Sequence, residues 1–268
     1  MAWRSSSKML YQIFSDDMKE DDIKIPRIIN GSFSGNSYPV TCSLTTGFAI
    51  IWSNEYVSQI FGILFDEKGN FVSGFNISII LSGVPLKYSV SIAELSSGRF
   101  IVSWIDKSYG IWGQIFNSNG TMWKPKFFTL DNCVSPYVSS LSDGGFIITA
   151  SCIKELSTVI FNASGNQVGP LVSVPKGSTF DSFNSVGLSN GEWALVWEVR
   201  EISSTTFFFA RFNERGMVLT NTIAITRCSN PVYPYISPLQ YGIYLVMWST
   251  CEGAINYQIM ETPFEGET

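Results

Sequence analysis

Apolar residues recur at alternate positions along the chain in short runs, most of which follow a glycine turn. The clearest run is Phe100-Ile101-Val102-Ser103-Trp104, in which an aromatic, an aliphatic and a tryptophan residue occupy every second position. Alternation with a period of two predicts half-buried β-strands, and no part of the chain has the 3.6-residue period of an amphipathic helix. This tryptophan motif has five copies. They begin at Phe48, Phe100, Phe146, Trp193 and Tyr244, and the third copy ends in Ala150 instead of tryptophan.

A second marker repeats with the same period. Phenylalanine followed closely by a turn glycine occurs at Phe65, Phe116, Phe161 and Phe212. Two markers with a period of about 50 residues indicate a true repeat. Each repeat contains four predicted strands: strand A, rich in serine and β-branched residues, strand B, the tryptophan motif, strand C, which ends at the phenylalanine, and strand D. We predict an all-β fold, a β-propeller of five to six four-stranded blades with incomplete first and last repeats.

The expected domain organisation is a single β-propeller domain over residues 1–268. Its predicted repeat units cover about 1–32, 33–83, 84–131, 132–176, 177–227 and 228–268.

The strands predicted at the two ends of the chain do not add up to one complete four-stranded blade. The first repeat has strands C and D, over residues 8–14 and 23–29, and the last repeat has strands A, B and C. One strand is therefore left over. It either belongs to a thin sixth blade, lies outside the ring or pairs with another chain, because an unpaired sheet edge is a template for strand addition.

Charge is sparse, at 15% of residues, and the net charge is −5. No run of lysine and arginine is present, which argues against nucleic-acid partners and against docking on anionic lipid. No apolar run is long enough for a transmembrane helix, so membrane insertion is not expected. The first residues also lack the apolar segment of a signal peptide. The protein is therefore expected either to be made in the cytosol or to begin inside a longer precursor, and the incomplete first repeat favours the second alternative.

Histidine is absent from the sequence. Catalysis by Ser-His-Asp or Cys-His arrangements and histidine-ligated metal sites are therefore excluded. We expect no catalytic residue, no metal and no cofactor, and we expect that the chain is not an enzyme.

The repeat resembles the roughly 50-residue β-propeller-type repeats of bacterial RTX/VCBS-like secreted surface proteins. The matching stretches are Gly144-Gly145-Phe146-Ile147-Ile148, together with Gly113-Gln114-Ile115-Phe116 and Gly120. The resemblance covers about residues 38–260 and is confined to structural motifs. It implies a propeller-like fold in a surface or matrix setting and no catalytic residue. Calcium-binding nonapeptides that accompany such proteins are missing, so calcium binding is not implied.

Four cysteines occupy equivalent positions in two repeats. Cys133 precedes strand A and Cys152 follows strand B, and Cys228 and Cys251 hold the same places in the last repeat. Neighbouring antiparallel strands bring such positions within bridging distance, so we predict two disulfides within blades. The alternative is that these cysteines are free and buried in the core. Cys42, in a strand A, is expected to be buried. Disulfides would indicate an oxidising, extracellular setting.

Asn-x-Ser/Thr sequons provide candidate N-glycosylation sites at Asn119, Asn162, Asn30 and Asn76. Their number is no more than chance predicts. Asn119 and Asn162 lie in predicted C–D turns, where a glycan is best tolerated.

Charged residues recur just after strand B and form candidates for binding at a common rim. They are Glu55, Asp106, Glu198 and Arg200. Carboxylates there could be a glycosidase pair, a sugar- or cation-binding ring, or simply a solvated rim. Trp112 and Trp123 could stack on a sugar or pack within the propeller. The sialidase-type motif Ser-x-Asp-x-Gly-x-x-Trp is not present.

These patterns favour an extracellular or cell-surface structural or adhesive module. Such a module could be a fibre-forming subunit joined to its neighbours by strand exchange. Its partners would then be copies of itself, other surface proteins and possible glycans. The alternative function is a carbohydrate-binding propeller lectin, whereas a glycosidase is disfavoured.

Overall fold

The structure is a computed structural model that describes residues 2–5, 8–12, 27–29, 39–54, 59–78, 90–96, 98–106, 108–175, 182–200, 205–220, 223–228, 234–239, 243–249 and 254–261. These residues form 22 β-strands and no helix. Within these ranges, then, no helix is long and apolar enough to cross a lipid bilayer. The strands form two compact units, one of residues 1–94 and 98–136 and the other of residues 95–97 and 137–268.

The first unit contains three antiparallel sheets. Sheet I has three strands, β1 (Ala2–Ser5), β2 (Lys8–Tyr11) and β3 (Arg27–Ile29). Sheet II has four strands, β4 (Val40–Leu44), β5 (Gly47–Asn54), β6 (Gln59–Phe65) and β7 (Phe71–Ser78). Sheet III has four strands, β8 (Val90–Glu94), β9 (Phe100–Ile105), β10 (Ile111–Phe116) and β11 (Met122–Leu130).

The second unit also contains three antiparallel sheets. Sheet IV has four strands, β12 (Cys133–Ser140), which begins just before the unit boundary, β13 (Phe146–Cys152), β14 (Glu155–Phe161) and β15 (Val172–Pro175). Sheet V has four strands, β16 (Phe183–Gly187), β17 (Trp193–Arg200), β18 (Thr205–Phe212) and β19 (Ile223–Cys228). Sheet VI has three strands, β20 (Tyr235–Pro238), β21 (Ile243–Ser249) and β22 (Ile255–Glu261).

Each tryptophan motif lies on the second strand of a four-stranded sheet or of sheet VI, and its two faces pack on different neighbours. In sheet II, Ile50 and Trp52 pack towards Tyr11 of sheet I, whereas Ala49 and Ile51 pack towards sheet III. The two sides are distinct because successive side chains of a strand point to opposite faces. Stacking of consecutive sheets therefore buries both faces of the motif.

The same rule holds in the second unit. Trp193, Leu195 and Trp197 pack on sheet IV, and Ala194 and Val196 pack on sheet VI. The tryptophans of the motif are thus part of the core between sheets.

Among the described residues, the first and last repeats form three-stranded sheets, in agreement with the predicted incomplete repeats. The first repeat is more complete than the sequence indicated, because β1 supplies a strand before the predicted C and D strands and pairs with β2. Of the predicted strand at residues 23–29, the structure describes Arg27–Ile29. The prediction of one domain over residues 1–268 stays a prediction.

Candidate functional site

The loop between β9 and β10 is organised by one carboxylate. Asp106 Oδ1 accepts hydrogen bonds from the backbone N–H groups of Ser108 and Gly110, each at 2.9 Å. Its Oδ2 accepts a hydrogen bond from Trp112 Nε1, also at 2.9 Å. Both carboxylate oxygens are therefore occupied by donors of the same loop, and Asp106 acts here as a positioning group.

Tyr109 has an unusual backbone conformation at the tip of this loop. Its φ angle is 61°, a left-handed value that is uncommon for a bulky residue and often marks a functional position. The backbone is held on both sides, because Tyr109 N–H donates to the Asp106 carbonyl at 3.1 Å and its own carbonyl accepts from Cys133 N–H at 2.9 Å. The residue is nonetheless 45% exposed. The loop thus presents an aromatic ring on a rigid backbone.

Further aromatic and charged side chains lie beside the loop. Trp112 and Phe128 pack edge to face with ring centroids 5.5 Å apart, and Phe128 is 51% exposed. Lys126 Nζ lies 5.5 Å from the centroid of the Trp112 ring. A Cβ at Gly110 would lie only 3.0 Å from the Phe128 ring, so the loop is closely packed on the aromatic pair.

We call this group the aromatic loop cluster. Its members are Asp106, Tyr109, Trp112, Lys126 and Phe128. Exposed aromatic faces with a few fixed polar groups are typical of ligand sites, and sugars stack their C–H faces on such rings. Sequence reasoning singled out Asp106 and Trp112 but missed Tyr109 and Phe128. The signal for Tyr109 was its place directly before Gly110, between strands B and C of its repeat.

The other proposed sugar-stacking residue, Trp123, has a partner of its own. The Arg99 guanidinium lies 3.9 Å from the centroid of the Trp123 ring, a cation–π arrangement. Trp123 is 39% exposed. A sugar could therefore reach this ring only in competition with Arg99 or on its other face.

The predicted rim of charged residues stays a prediction, because the structure describes two of its four side chains, Asp106 and Glu198. Glu198 is fully buried, and its carboxylate accepts a hydrogen bond from Ser182 N–H at 3.0 Å. Glu198 therefore does not lie at a solvent-exposed rim, because its carboxylate is shielded from water and hydrogen-bonded to a backbone N–H group instead. Asp106 is half-buried in its loop. Glu55 and the Arg200 side chain lie outside what the structure describes.

A charged pair that the sequence analysis did not consider lies between sheets V and VI. The Arg211 guanidinium donates to Glu192 Oε2 through Nε at 2.9 Å and through Nη2, and both side chains are largely buried. Burial raises the pKa of the neighbouring Tyr244, and the positive charge of Arg211 partly offsets this rise. Nothing in the repeat pattern marks this pair, since Arg211 occupies a position in β18 that other repeats fill with uncharged residues.

The cysteines have different states. Cys133 and Cys152 form a disulfide bond, at two of the positions where the sequence predicted one. Cys251 and the side chain of Cys228 lie outside the described residues. Cys42 is free and half-buried, so it is less buried than expected, and desolvation raises its thiol pKa to about 11.

The sequons differ in their surroundings. Asn119 is exposed, and its Oδ1 accepts from Thr121 Oγ1 at 2.7 Å and from Thr121 N–H at 3.0 Å. Asn162 is half-buried, and its Oδ1 accepts from the N–H groups of Ser164 and Asn166. Asn76 is exposed on β7, and Asn30 lies outside the described residues. Glycosylation at all four stays a prediction.

Solved structures with a similar fold have low sequence identity. The Dos1 propeller is 10% identical with a TM-score of 0.54, and the match covers 96% of this chain and 66% of that chain. AofleA from Arthrobotrys oligospora is 7% identical with a TM-score of 0.56 over 97% and 81% of the two chains. The SapL1 lectin, in complex with alpha methyl fucoside, is 11% identical with a TM-score of 0.55 over 99% and 96%. The chain thus spans slightly less than two thirds of the Dos1 structure.

Other similar structures contradict the expectation that the chain is not an enzyme. They include the sialidase Hz136, at 13% identity and a TM-score of 0.53, the propeller domain of the Trilobed protease from Pyrococcus furiosus, at 10% and 0.53, and a candidate 6-phosphogluconolactonase from Bacteroides uniformis, at 10% and 0.56. The expectation was wrong because the absence of histidine excludes only those catalytic mechanisms that need an imidazole. Proteins with this fold can be enzymes that use other residues. At these identities, the likenesses show the fold alone.

No protein-family profile and no curated protein sequence matches this chain, so the resemblance to RTX/VCBS-like repeats stays a prediction. The chain has a β-propeller fold, as both its antiparallel sheets and the similar solved structures show.

Proposed function

We propose that this chain is a carbohydrate-binding β-propeller and that the aromatic loop cluster takes part in sugar binding. One observation carries the proposal: Tyr109, nearly half exposed, is held at a positive φ by a loop in which three consecutive N–H groups, of residues 108–110, donate to Asp106. Such strain persists where surrounding contacts enforce it, and it is frequent at ligand sites. The likeness to a fucoside-bound lectin supports the same class of ligand.

The contacts within the aromatic loop cluster assign different roles to its members. Asp106 holds the loop and Trp112, and Tyr109 and Phe128 provide exposed rings. The Lys126 ammonium, near the Trp112 ring, could donate hydrogen bonds to sugar hydroxyls. Because Asp106 is already satisfied by three N–H donors, it contributes to binding through the position of the rings.

The test is a glycan array followed by calorimetric titration of the best glycan. Tyr109→Gly removes the ring and suits the positive φ, so it should lower affinity about tenfold, as loss of one aromatic contact would, without loss of stability. Phe128→Ala should have a similar effect on affinity. Phe71→Ala is the matched control, because Phe71 is a 67% exposed aromatic residue elsewhere in the same unit. Absence of glycan binding, or binding unchanged in both cluster variants, would overturn the proposal.

A second candidate function is that of an extracellular structural or adhesive module whose copies join by strand exchange into fibres. The observation in its favour is that β22 ends sheet VI with no further strand paired to it among the described residues. An open strand edge is a template for strand addition. The Cys133–Cys152 disulfide supports an oxidising setting outside the cell, as do the predicted glycans and the resemblance to bacterial surface repeats.

A further inference from the structure

The edge strand of sheet III lies in the most positively charged part of the repeat. Residues 95–130, which include three of the four strands of this sheet, contain four lysine and arginine residues and one carboxylate. Their net charge is therefore +3, whereas that of the whole chain is −5. Lys124 and Lys126 lie on β11, and Arg99 lies directly before β9. The fourth cation, Lys107, lies outside the described residues. We call four residues the basic surface of sheet III: Arg99, Trp123, Lys124 and Lys126.

All three described cations lie close to aromatic rings. Two of them lie over tryptophans, as described above for Trp123 and Trp112. The third, Lys124, has its Nζ 5.4 Å from the centroid of the Phe127 ring. Lys126 is exposed and the other two cations are half-buried. Attraction between a cation and the face of a ring limits the positions of these long side chains, so their charges are held beside apolar surface.

The basic surface of sheet III extends along β11 to the aromatic loop cluster. Trp123 and Phe128 lie towards opposite ends of the strand, and Lys126 lies between them and belongs to both groups. At about 3.3 Å per residue, the strand from Trp123 to Phe128 spans roughly 15 Å. A single sugar would contact one of these rings, whereas an oligosaccharide is long enough to contact both.

The carboxylates nearest to β11 in the sequence are engaged in their own loops. Both oxygens of Asp106 accept hydrogen bonds from N–H groups of its loop and of Trp112. Asp131, directly after β11, accepts hydrogen bonds from the backbone N–H and the side-chain Nδ2 of Asn132, each at 3.0 Å. Lys126 forms no ion pair with any carboxylate in the described part of the chain. Its charge is therefore available to an external anion.

We propose that the ligand of sheet III is an acidic oligosaccharide. Its carboxylate or sulfate groups contact the basic surface of sheet III, and its sugar rings stack on the aromatic loop cluster. Charge complementarity identifies this ligand, because guanidinium and ammonium groups pair well with carboxylate and sulfate oxygens. A local positive potential also attracts anions to a chain whose net charge is negative. The inference rests on the proposed carbohydrate binding and names the class of sugar.

Calorimetric titration with two matched pairs of polysaccharides tests the charge of the ligand. Oligogalacturonate and its fully methyl-esterified form differ in carboxylate charge, and dextran sulfate and dextran differ in sulfate charge. At least one acidic form should bind about tenfold more tightly than its neutral counterpart. The difference should shrink between about 0.05 M and about 0.5 M salt, because salt screens exposed charges. Equal affinity for acidic and neutral forms, or for the acidic form and a DNA duplex, would overturn the inference.

Two double variants test where the acidic groups bind. Lys124→Gln with Lys126→Gln should lower the ratio of acidic to neutral affinity about tenfold, since two surface charge pairs are lost. Lys68→Gln with Lys154→Gln is the matched control, because both lysines are exposed outside sheet III and the net charge changes equally. Equal losses in the two double variants would overturn the inference. An unchanged ratio in the first would also overturn it and leave its lysines the role of protecting a sheet edge.

Neutral glycans separate this inference from the proposed function. If they bind and lose affinity in Tyr109→Gly while acidic forms have no advantage, the acidic ligand is overturned and carbohydrate binding is kept. If no glycan binds, acidic or neutral, both are overturned.

Discussion

Sheets V and VI carry the same tryptophan motif in different surroundings. In β17, all residues from Trp193 to Glu198 are buried, whereas in β21 only Tyr244 and Val246 are buried. The two strands are equally apolar, so burial here is set by the neighbours and not by composition. Sheet V has a sheet on each side, whereas among the described residues of the second unit sheet VI has one, on the side of Tyr244 and Val246. We call the other side of sheet VI, which carries Met247 and Tyr257, its open face. An identical pattern of residues can therefore serve as core on both faces or as core on one and surface on the other.

The sharpest test of this contrast uses one substitution at equivalent positions. Val196→Asp should destabilise by more than about 4 kcal/mol, because it buries an unpaired charge. Met247→Asp should cost less than about 1 kcal/mol, since a carboxylate on the open face remains solvated. Urea denaturation followed by tryptophan fluorescence measures both. Equal costs would show that the open face of sheet VI is covered in the isolated chain.

A smaller effect separates the two tryptophans of sheet V. Trp197 Nε1 donates to the Pro175 carbonyl at 3.1 Å, whereas Trp193 Nε1 is buried without a hydrogen-bond partner among the described residues. Trp197→Phe should therefore cost roughly 2 kcal/mol in lost volume and an unpaired carbonyl. Trp193→Phe should cost about 1 kcal/mol less than Trp197→Phe, because it loses the same volume but removes an unsatisfied donor and leaves no carbonyl unpaired. Thermal unfolding of the two variants tests the difference, and a larger cost for Trp193→Phe would contradict it.

The smallest effect compares the two faces of sheet VI itself. Tyr244 is 1% exposed and interacts with Arg211, so Tyr244→Phe should cost about 1 kcal/mol for the lost hydroxyl contact. Tyr257 is 68% exposed on the open face, and Tyr257→Phe should leave the free energy of unfolding unchanged. Chemical denaturation at low protein concentration keeps association out of the measurement. A cost at Tyr257 equal to that at Tyr244 would show that its hydroxyl has a partner.

Sequence reasoning recovered the repeat well and the site only in part. The tryptophan motif and the glycine turns are local signals, and each predicted repeat corresponds to one observed sheet, although β19 of sheet V ends at Cys228, the first residue of the last predicted repeat. Strand β1 was missed because Ala2–Ser5 carries no motif and is recognised only by its pairing with β2. Glu198 was misplaced because its position after the motif indicates a strand end, whereas β17 continues to Arg200.

The candidate site shows the same limit. Asp106 was identified from its place after strand B, and Trp112 as a tryptophan that could stack on a sugar. The hydrogen bond between them depends on the loop conformation. Phe128 enters the cluster because β11 pairs with β10 through shifts in register, which no local pattern reveals. The Arg211–Glu192 pair likewise needs β18 and the turn before β17 to lie side by side.

The sequence by itself determined the all-β fold, the period of about 50 residues and the role of the tryptophan motif in the core, because these depend on alternation and turn chemistry within each repeat. Tertiary structure alone decided which faces stay exposed and which side chains meet. Both depend on neighbours that are distant along the chain: Val196 is buried because sheet VI lies on it, and Met247 is half-buried because nothing described in its unit does the same.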